Sequence, residues 1–229
     1  MFGSRLPLPA PRKLPWPLKP LESAKTSLSY DAHGRIVMHI EHAVLKGITP
    51  EMVAWWFGNI GGEIELGGTR VNKYLAWHPQ DHICWELAEP GLDGRASVGA
   101  KFRIVEAFGR NPDFYVDAID TVTRLDATGF TGESYHLGLK VSHLNHDFHA
   151  VAGGTQYLST LTIGSTLPLV GKLINAVVRR FIFPEAMGRA WLKHNVEEVG
   201  LLEHIVPALC AGNLGPSTRC SSPRQPDLI

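Results

Sequence analysis

The sequence predicts an α+β fold of the helix-grip kind: a curved antiparallel sheet wrapped around one long C-terminal helix. Three observations predict it. A strand and a short helix are followed by many strand-like segments joined by short turns, which fold most simply as an antiparallel meander. The one long amphipathic element stands at the end of this order, and it is the natural cover for the sheet's concave face. The 229 residues are 44% hydrophobic, enough for a sizeable core, and a cavity between sheet and helix suits a small molecule.

The elements follow in chain order. Residues 1–29 are expected to form an arm, proline-rich from Leu6 to Pro20, lying extended on the domain with Trp16 as an anchor. Arg35–Leu45 reads as the first strand. Thr49, Pro50 and Glu51 supply an N-cap, a first-turn proline and a first-turn acid for a helix over Pro50–Asn59. Glycines 61, 62, 67 and 68 then loosen the chain. Strands are predicted at Val71–Trp77, Ile83–Ala88, Val98–Phe108, Phe114–Leu125, Gly132–Ser142 and Phe148–Ile163, the last broken at Gly153–Gly154. A helical region runs from Pro168 to Leu209 with a kink at Pro184. The folded domain is placed at 30–210, and 211–229, rich in Gly, Ser and Pro, is expected to be disordered.

Composition narrows the function classes. Lys+Arg and Asp+Glu balance at 22 each, so nothing electrostatic favours nucleic acid or an anionic membrane. Leu167–Phe183 is apolar but interrupted by Lys172, Asn175, Arg179 and Arg180, too short and too charged to span a bilayer. Three cysteines are too few for a disulfide framework or a cysteine zinc site, and a cytoplasmic setting is the expectation. There is no Gly-x-Ser-x-Gly elbow and no phosphate loop.

Three local patterns carry chemistry. His194 and Glu198 stand one helical turn apart on a face shared with Met187, Ala190, Trp191, Leu201 and Ile205. That spacing lets two side chains grip one ion, and burying either without a partner is costly. Glu197 falls nearer a polar edge with Lys193 and His204 and is expected to be solvated. In Val98–Phe108, alternate residues Val98, Ala100, Phe102, Ile104, Glu106 and Phe108 share a strand face, placing one carboxylate in an apolar row. It is either a strand-end glutamate turned to water or a buried carboxylate that needs a cation. The run Tyr74-Leu-Ala-Trp77-His78-Pro79-Gln80-Asp81-His82 puts Tyr74, Ala76 and His78 on one strand face, turns at Pro79–Asp81 and starts a new strand at His82. Asp81 can orient an imidazole. His78 and His82 both remain candidates. His136 and Tyr157 are candidates for the cavity wall, whereas His143, His146 and His149 flank an Asn-His-Asp turn and are expected to be exposed.

Taken together, Trp55-Trp56-Phe57, the Tyr74–His82 run and His194-Asn-Val-Glu-Glu198 resemble the 2,4-diacetylphloroglucinol hydrolase family, which includes phloretin hydrolase. The resemblance spans roughly residues 35–206. It implies a Bet v 1-like helix grip and a zinc ion held by His82, Glu106, His194 and Glu198, with His78 the alternative to His82. It implies Tyr74 as a substrate-bonding tyrosine; His78, Trp85 and Tyr157 are further candidates for contact with the substrate. It implies hydrolysis of the carbon–carbon bond between an acyl group and a polyhydroxylated ring, with Tyr74 or His136 as proton donor. Where family hydrolases carry a substrate-facing asparagine, Cys84 and Trp85 stand here, which points to a more apolar substrate. The expected partner is a small aromatic ketone; a homodimer is left open. The competing classes are a non-hydrolytic cyclase of polyketides and a carrier of apolar aromatic ligands.

Overall fold

The computed structural model describes residues 5–66 and 68–211; all but the first residue of the expected tail lies outside them. Eleven strands and four helices are found among the described residues: β1 Lys25–Tyr30, β2 Ile36–Glu41, β3 Leu45–Lys46, α1 Pro50–Gly58, β4 Glu63–Leu66, β5 Thr69–Asn72, α2 Lys73–Trp77, β6 His82–Glu89, β7 Lys101–Ala107, β8 Tyr115–Asp126, β9 Gly129–His136, β10 Leu139–Val151, β11 Gly154–Ile163, α3 Gly171–Val177 and α4 Glu185–Ala211. The large sheet runs β1-β2-β11-β10-β9-β8-β7-β6, with β3 also on β11, and every pairing is antiparallel. β4 and β5 form a separate hairpin. α4, about 40 Å long at 1.5 Å per residue, packs along the sheet together with α1 and α2. The architecture is the α+β helix grip.

Local chemistry explains the breaks. Thr49 caps α1, its hydroxyl accepting the Met52 amide at 3.3 Å, with Pro50 in the first turn. α3 continues into a π-helical turn, Val178–Ile182, and the chain breaks at Pro184 before α4 begins. α4 carries buried apolar residues such as Leu192, Val196 and Leu202 around much of its circumference, because sheet, α1 and α2 enclose it.

Several expectations need correction. Val71–Trp77 is not one strand: the Asn72 side chain accepts the Leu75 amide at 3.2 Å and starts α2, so Tyr74 sits in a helical turn. Gly132–Ser142 is not one strand either. Leu137 and Gly138 adopt φ of 50° and 77° and turn β9 back into β10. Asn145-His146-Asp147 is no turn but mid-strand, paired on both sides. Arg124 draws in the two turn-forming side chains, reaching Asn145 Oδ1 at 3.0 Å and Asp147 Oδ1 at 2.6 Å. β1 and β4 were not anticipated, and β5 only from Val71; β1 is almost wholly exposed, and β4 and β5 are four residues each.

The proline-rich arm lies against the domain. Trp16 stacks on His204 at 5.2 Å, Lys19 pairs with Glu203 at 2.9 Å, and the Arg12 amide donates to Pro79 O at 3.0 Å.

Candidate metal centre and adjoining cavity

Three elements meet at one end of the sheet. The α2–β6 turn brings Tyr74, His78, Asp81 and His82; β7 brings Glu106; α4 brings His194 and Glu198. His82 and Glu106 are directly opposed in the β6–β7 ladder, and His194 and Glu198 lie one turn apart on α4. All four are buried. His82 Nε2 lies 3.4 Å from Glu106 Oε1 and 3.3 Å from Glu198 Oε2. His194 Nε2 lies 3.7 Å from Glu106 Oε2 and 3.8 Å from Glu198 Oε2.

The outer hydrogen bonds settle what these atoms present. His82 Nδ1 is 2.6 Å from Tyr74 O, a carbonyl that can only accept, so Nδ1 carries the proton and Nε2 a lone pair. His194 Nδ1 donates to Asp81 Oδ2 at 3.1 Å, which turns its Nε2 lone pair inward too. Asp81 is itself held by the Gly109 and Arg110 amides at 2.8 and 3.1 Å. These two residues have φ of 62° and 57°, so consecutive amides wrap one carboxylate. Tyr74 stacks on His82 at 3.8 Å and its hydroxyl donates to Glu106. The Asn195 amide donates to Glu198 Oε1 at 2.5 Å.

The result is a knot of lone pairs. His82 Nε2 is buried and has no hydrogen-bond partner, although two carboxylates adjoin it. Burial pushes both Glu106 and Glu198 up from the carboxylate range, with Glu198 adding to the shift on Glu106 and Asp81 to that on Glu198. Burial likewise drives His82 and His194 down, toward the neutral imidazole that ligates metals. Two neutral imidazoles and two carboxylates are a donor set that suits zinc. His82, Glu106 and His194 also meet the spacing for a shared ion.

His78 stands outside this knot, in a second grouping with Asp81 and His194 whose ligand atoms also lie close enough to share an ion. Its Nδ1 accepts the Asp81 amide at 3.0 Å, so its Nε2–H donates to Glu197 at 3.3 Å. It stacks behind His194 at 4.4 Å and is not on the cavity wall. Glu197 is therefore not solvated as expected: it is 7% exposed and bridges His78 and Lys193. Both Glu197 and Glu198 point inward because α4 is enclosed on most sides.

A cavity of about 70 Å³ adjoins Glu106, His194 and Glu198 and is walled by Tyr74, Trp85 and Phe130 among others. Gly61 makes room for Trp85: a Cβ there would stand 2.6 Å from the indole ring. A second cavity of about 260 Å³, mostly apolar, shares Ile104, Glu106, Asp120, Leu144 and Trp191 with the first. Tyr157 is not on either wall but fully buried behind His146, at 5.1 Å between rings. His136 does not face the cavity: it is exposed at the end of β9 beside the hairpin turn, so it cannot serve as the proton donor. Besides His194, the histidine that lines the first cavity is His146, expected at the surface and found 2% exposed. Its Nδ1 is 3.0 Å from Ser159 Oγ, which also meets His42 Nε2 at 2.9 Å. His146 and Asp120 carried a readable signal: each stands in an alternating inward row, Leu144-His146-Phe148 and Val116-Ala118-Asp120-Val122.

Residues 32–211 match the family model described as DAPG hydrolase PhiG domain. Phloretin hydrolase of Eubacterium ramulus is 22% identical over 189 residues, covering 73% of this chain; the chain spans 65% of that relative's length. Among solved structures, a START superfamily protein from Mycobacterium smegmatis covers 72% of this chain and 94% of its own at 12% identity and a TM-score of 0.44. Ara h 8.0201 covers 71% and 98% at 10% identity and a TM-score of 0.39. Among the described residues no helix is long and apolar enough to cross a membrane.

Proposed function

The chain belongs to the DAPG hydrolase PhiG domain family, and from that premise we propose that it is a zinc-dependent hydrolase. The bond it cleaves joins an acyl group to a polyhydroxylated aromatic ring. The observation that carries this reading is the convergence of the His82 and His194 Nε2 lone pairs with Glu106 and Glu198 on one buried point. When bound there, zinc supplies Lewis acidity toward the acyl carbonyl and lowers the cost of activating water.

The chain's own residues do the rest. Asp81 and the Tyr74 carbonyl fix the imidazole tautomers. Tyr74, held neutral by burial, keeps its O–H on Glu106 and at the cavity wall. The aromatic wall, with Trp85 and Phe130, excludes bulk water. A ring flanked by ortho hydroxyls reaches its keto tautomer, so the acyl carbon becomes half of a 1,3-dicarbonyl. Water oxygen adds to that carbon, the carbon–carbon pair leaves onto the ring, and the ring carbon takes a proton, giving a phenol and a carboxylic acid. That proton is the one the added water gives up; His146, kept neutral by burial, lines the same cavity and can hydrogen-bond the ring.

The test joins elemental analysis to acid release from a panel of acyl phenols, including compounds with the ortho hydroxyls methylated. About one zinc per chain, cleavage of the free phenols and none of the methylated ones is expected. Absence of metal with chelator-indifferent activity refutes the zinc site. Equal turnover of methylated compounds refutes the tautomer route, and binding without cleavage assigns the cavity to a carrier or a cyclase.

A further inference from the structure

Asp120 is a buried acid for which the reaction above has no use. It stands on β8 and lines both cavities. Its relative exposure is 7%. One carboxyl oxygen accepts the Ser134 hydroxyl from the neighbouring strand. The other, Oδ2, has no hydrogen-bond partner among the described residues, and no cation pairs with it. That oxygen is open to the cavity, so a hydroxyl entering there can meet it. Burial also pushes this group up, toward the neutral acid that can both donate and accept.

Its position is informative. Glu106 pairs with Val116, and Asp120 lies four residues further along β8 on the same face, about 13 Å away at ~3.3 Å per residue. From the acyl carbon, one aromatic ring, a para hydroxyl and a hydrogen bond of ~2.8 Å span roughly 8–9 Å, and a contact of ~3.5–4 Å between that carbon and Glu106 brings the total to about the same interval. Gly132 faces the same oxygen: a Cβ there would lie 3.5 Å from Asp120 Oδ2 and 3.4 Å from the Phe130 ring. The glycine leaves that oxygen uncovered on the side of the aromatic wall.

We propose that Asp120, backed by Ser134, is a specificity-determining group that reads the ring hydroxyl para to the acyl substituent. The ligand class it selects is an acylated 2,4,6-trihydroxyarene over the 2,6-dihydroxy analogue. The proposal rests on the cavity being the substrate site, and its test does not depend on turnover.

The experiment measures binding of 2-alkylphloroglucinol and of 2-alkylresorcinol with the alkyl group between the hydroxyls. Both lack the acyl carbonyl and cannot be hydrolysed. Calorimetric titration of the purified holo protein is expected to show the trihydroxy ligand binding about five- to tenfold tighter, the size of one net hydrogen bond. Asp120→Leu should bring the ratio to about one, and Asp120→Asn, which keeps a donor and an acceptor, should retain most of it. Gly132→Ala keeps the carboxyl but sets a methyl against Oδ2 and should also erase the preference, which keeps the test decisive where Asp120→Leu does not fold. A ratio near one in the unaltered protein, a ratio unchanged in Asp120→Leu and Gly132→Ala, or no binding of either ligand overturns the proposal. A retained ratio with no acid released from any ketone leaves it standing while refuting the hydrolase reading.

Discussion

Replacing Asp81 by Asn separates holding a metal from merely folding the loop around it. The Asp81 carboxylate accepts three protein donors: the Gly109 amide and His194 Nδ1–H on Oδ2, and the Arg110 amide on Oδ1. An amide has one oxygen. Turned to keep Gly109 and His194, it sets an NH₂ against the Arg110 amide and leaves that buried donor unmet, at a cost of about 1–3 kcal/mol. The bond to His194 survives but now ends on a neutral carbonyl, and charge-assisted bonds are roughly twice as strong as neutral ones. Weaker support of this kind behind a ligating imidazole typically lowers metal affinity about 10- to 100-fold, which is ~1.4–2.8 kcal/mol. Two assays read the two effects apart: urea unfolding of the metal-stripped variant, and zinc titration in competition with a chromophoric chelator. Asp117→Asn, on a solvent-facing ion pair with Arg103, is the control and should move stability by no more than about 1 kcal/mol. A folded Asp81→Asn protein with undiminished zinc affinity would refute the role assigned to Asp81.

The neighbours on α4 should part company. Glu197→Ala leaves the buried His78 Nε2–H without its acceptor and should cost about 1–3 kcal/mol in urea with metal content kept, whereas Glu198→Ala should lose the metal; equal metal loss would put Glu197 in the ligand set. Glu197→Gln, which still offers His78 a carbonyl, should do less harm than Glu197→Ala. Stability should also fall on acidification. Burial brings the His42 and His146 pKa values down to about 3, so below about 6.5 the unfolded chain binds protons that the folded chain refuses. The stabilisation is complete above pH 6.5 and is lost toward pH 3, with a slope of at most ~1.4 kcal/mol per pH unit for each histidine. Urea midpoints between pH 7 and 4 that stay level, or a His42→Gln variant with an unchanged slope, would contradict this.

What the sequence made legible followed from periodicity within single elements. Glu106 in an apolar alternation and His194 with Glu198 at helical spacing were readable because one strand face and one helix face each reported a carboxylate among apolar groups. The choice between His78 and His82 was not readable from periodicity. It depends on the Asp81 amide taking His78 Nδ1, a contact created when the chain turns through α2 instead of running on as a strand. Glu197 was misjudged because helical phase describes one buried face, and α4 is enclosed by elements whose packing no local pattern announces. His146 was lost to a turn signal in Asn-His-Asp that Arg124, distant in sequence, overrides. Asp120 shows the same limit: its meaning lies in what it faces across the cavity.

The proline-rich arm and the loop behind the metal centre are tied in series. Arg12 holds the Pro79 carbonyl, and Arg110 reaches Pro9 O at 3.1 Å and Gln80 O at 2.8 Å with one nitrogen while its amide grips Asp81. Arg110 keeps a left-handed backbone that a non-glycine residue adopts reluctantly, so those bonds hold it against a standing tendency to relax. Trimming the chain back to residue 20 would spare every candidate ligand yet cut this guy-rope. The shortened protein would then need re-examination of its metal retention before any inactivity were blamed on the chemistry.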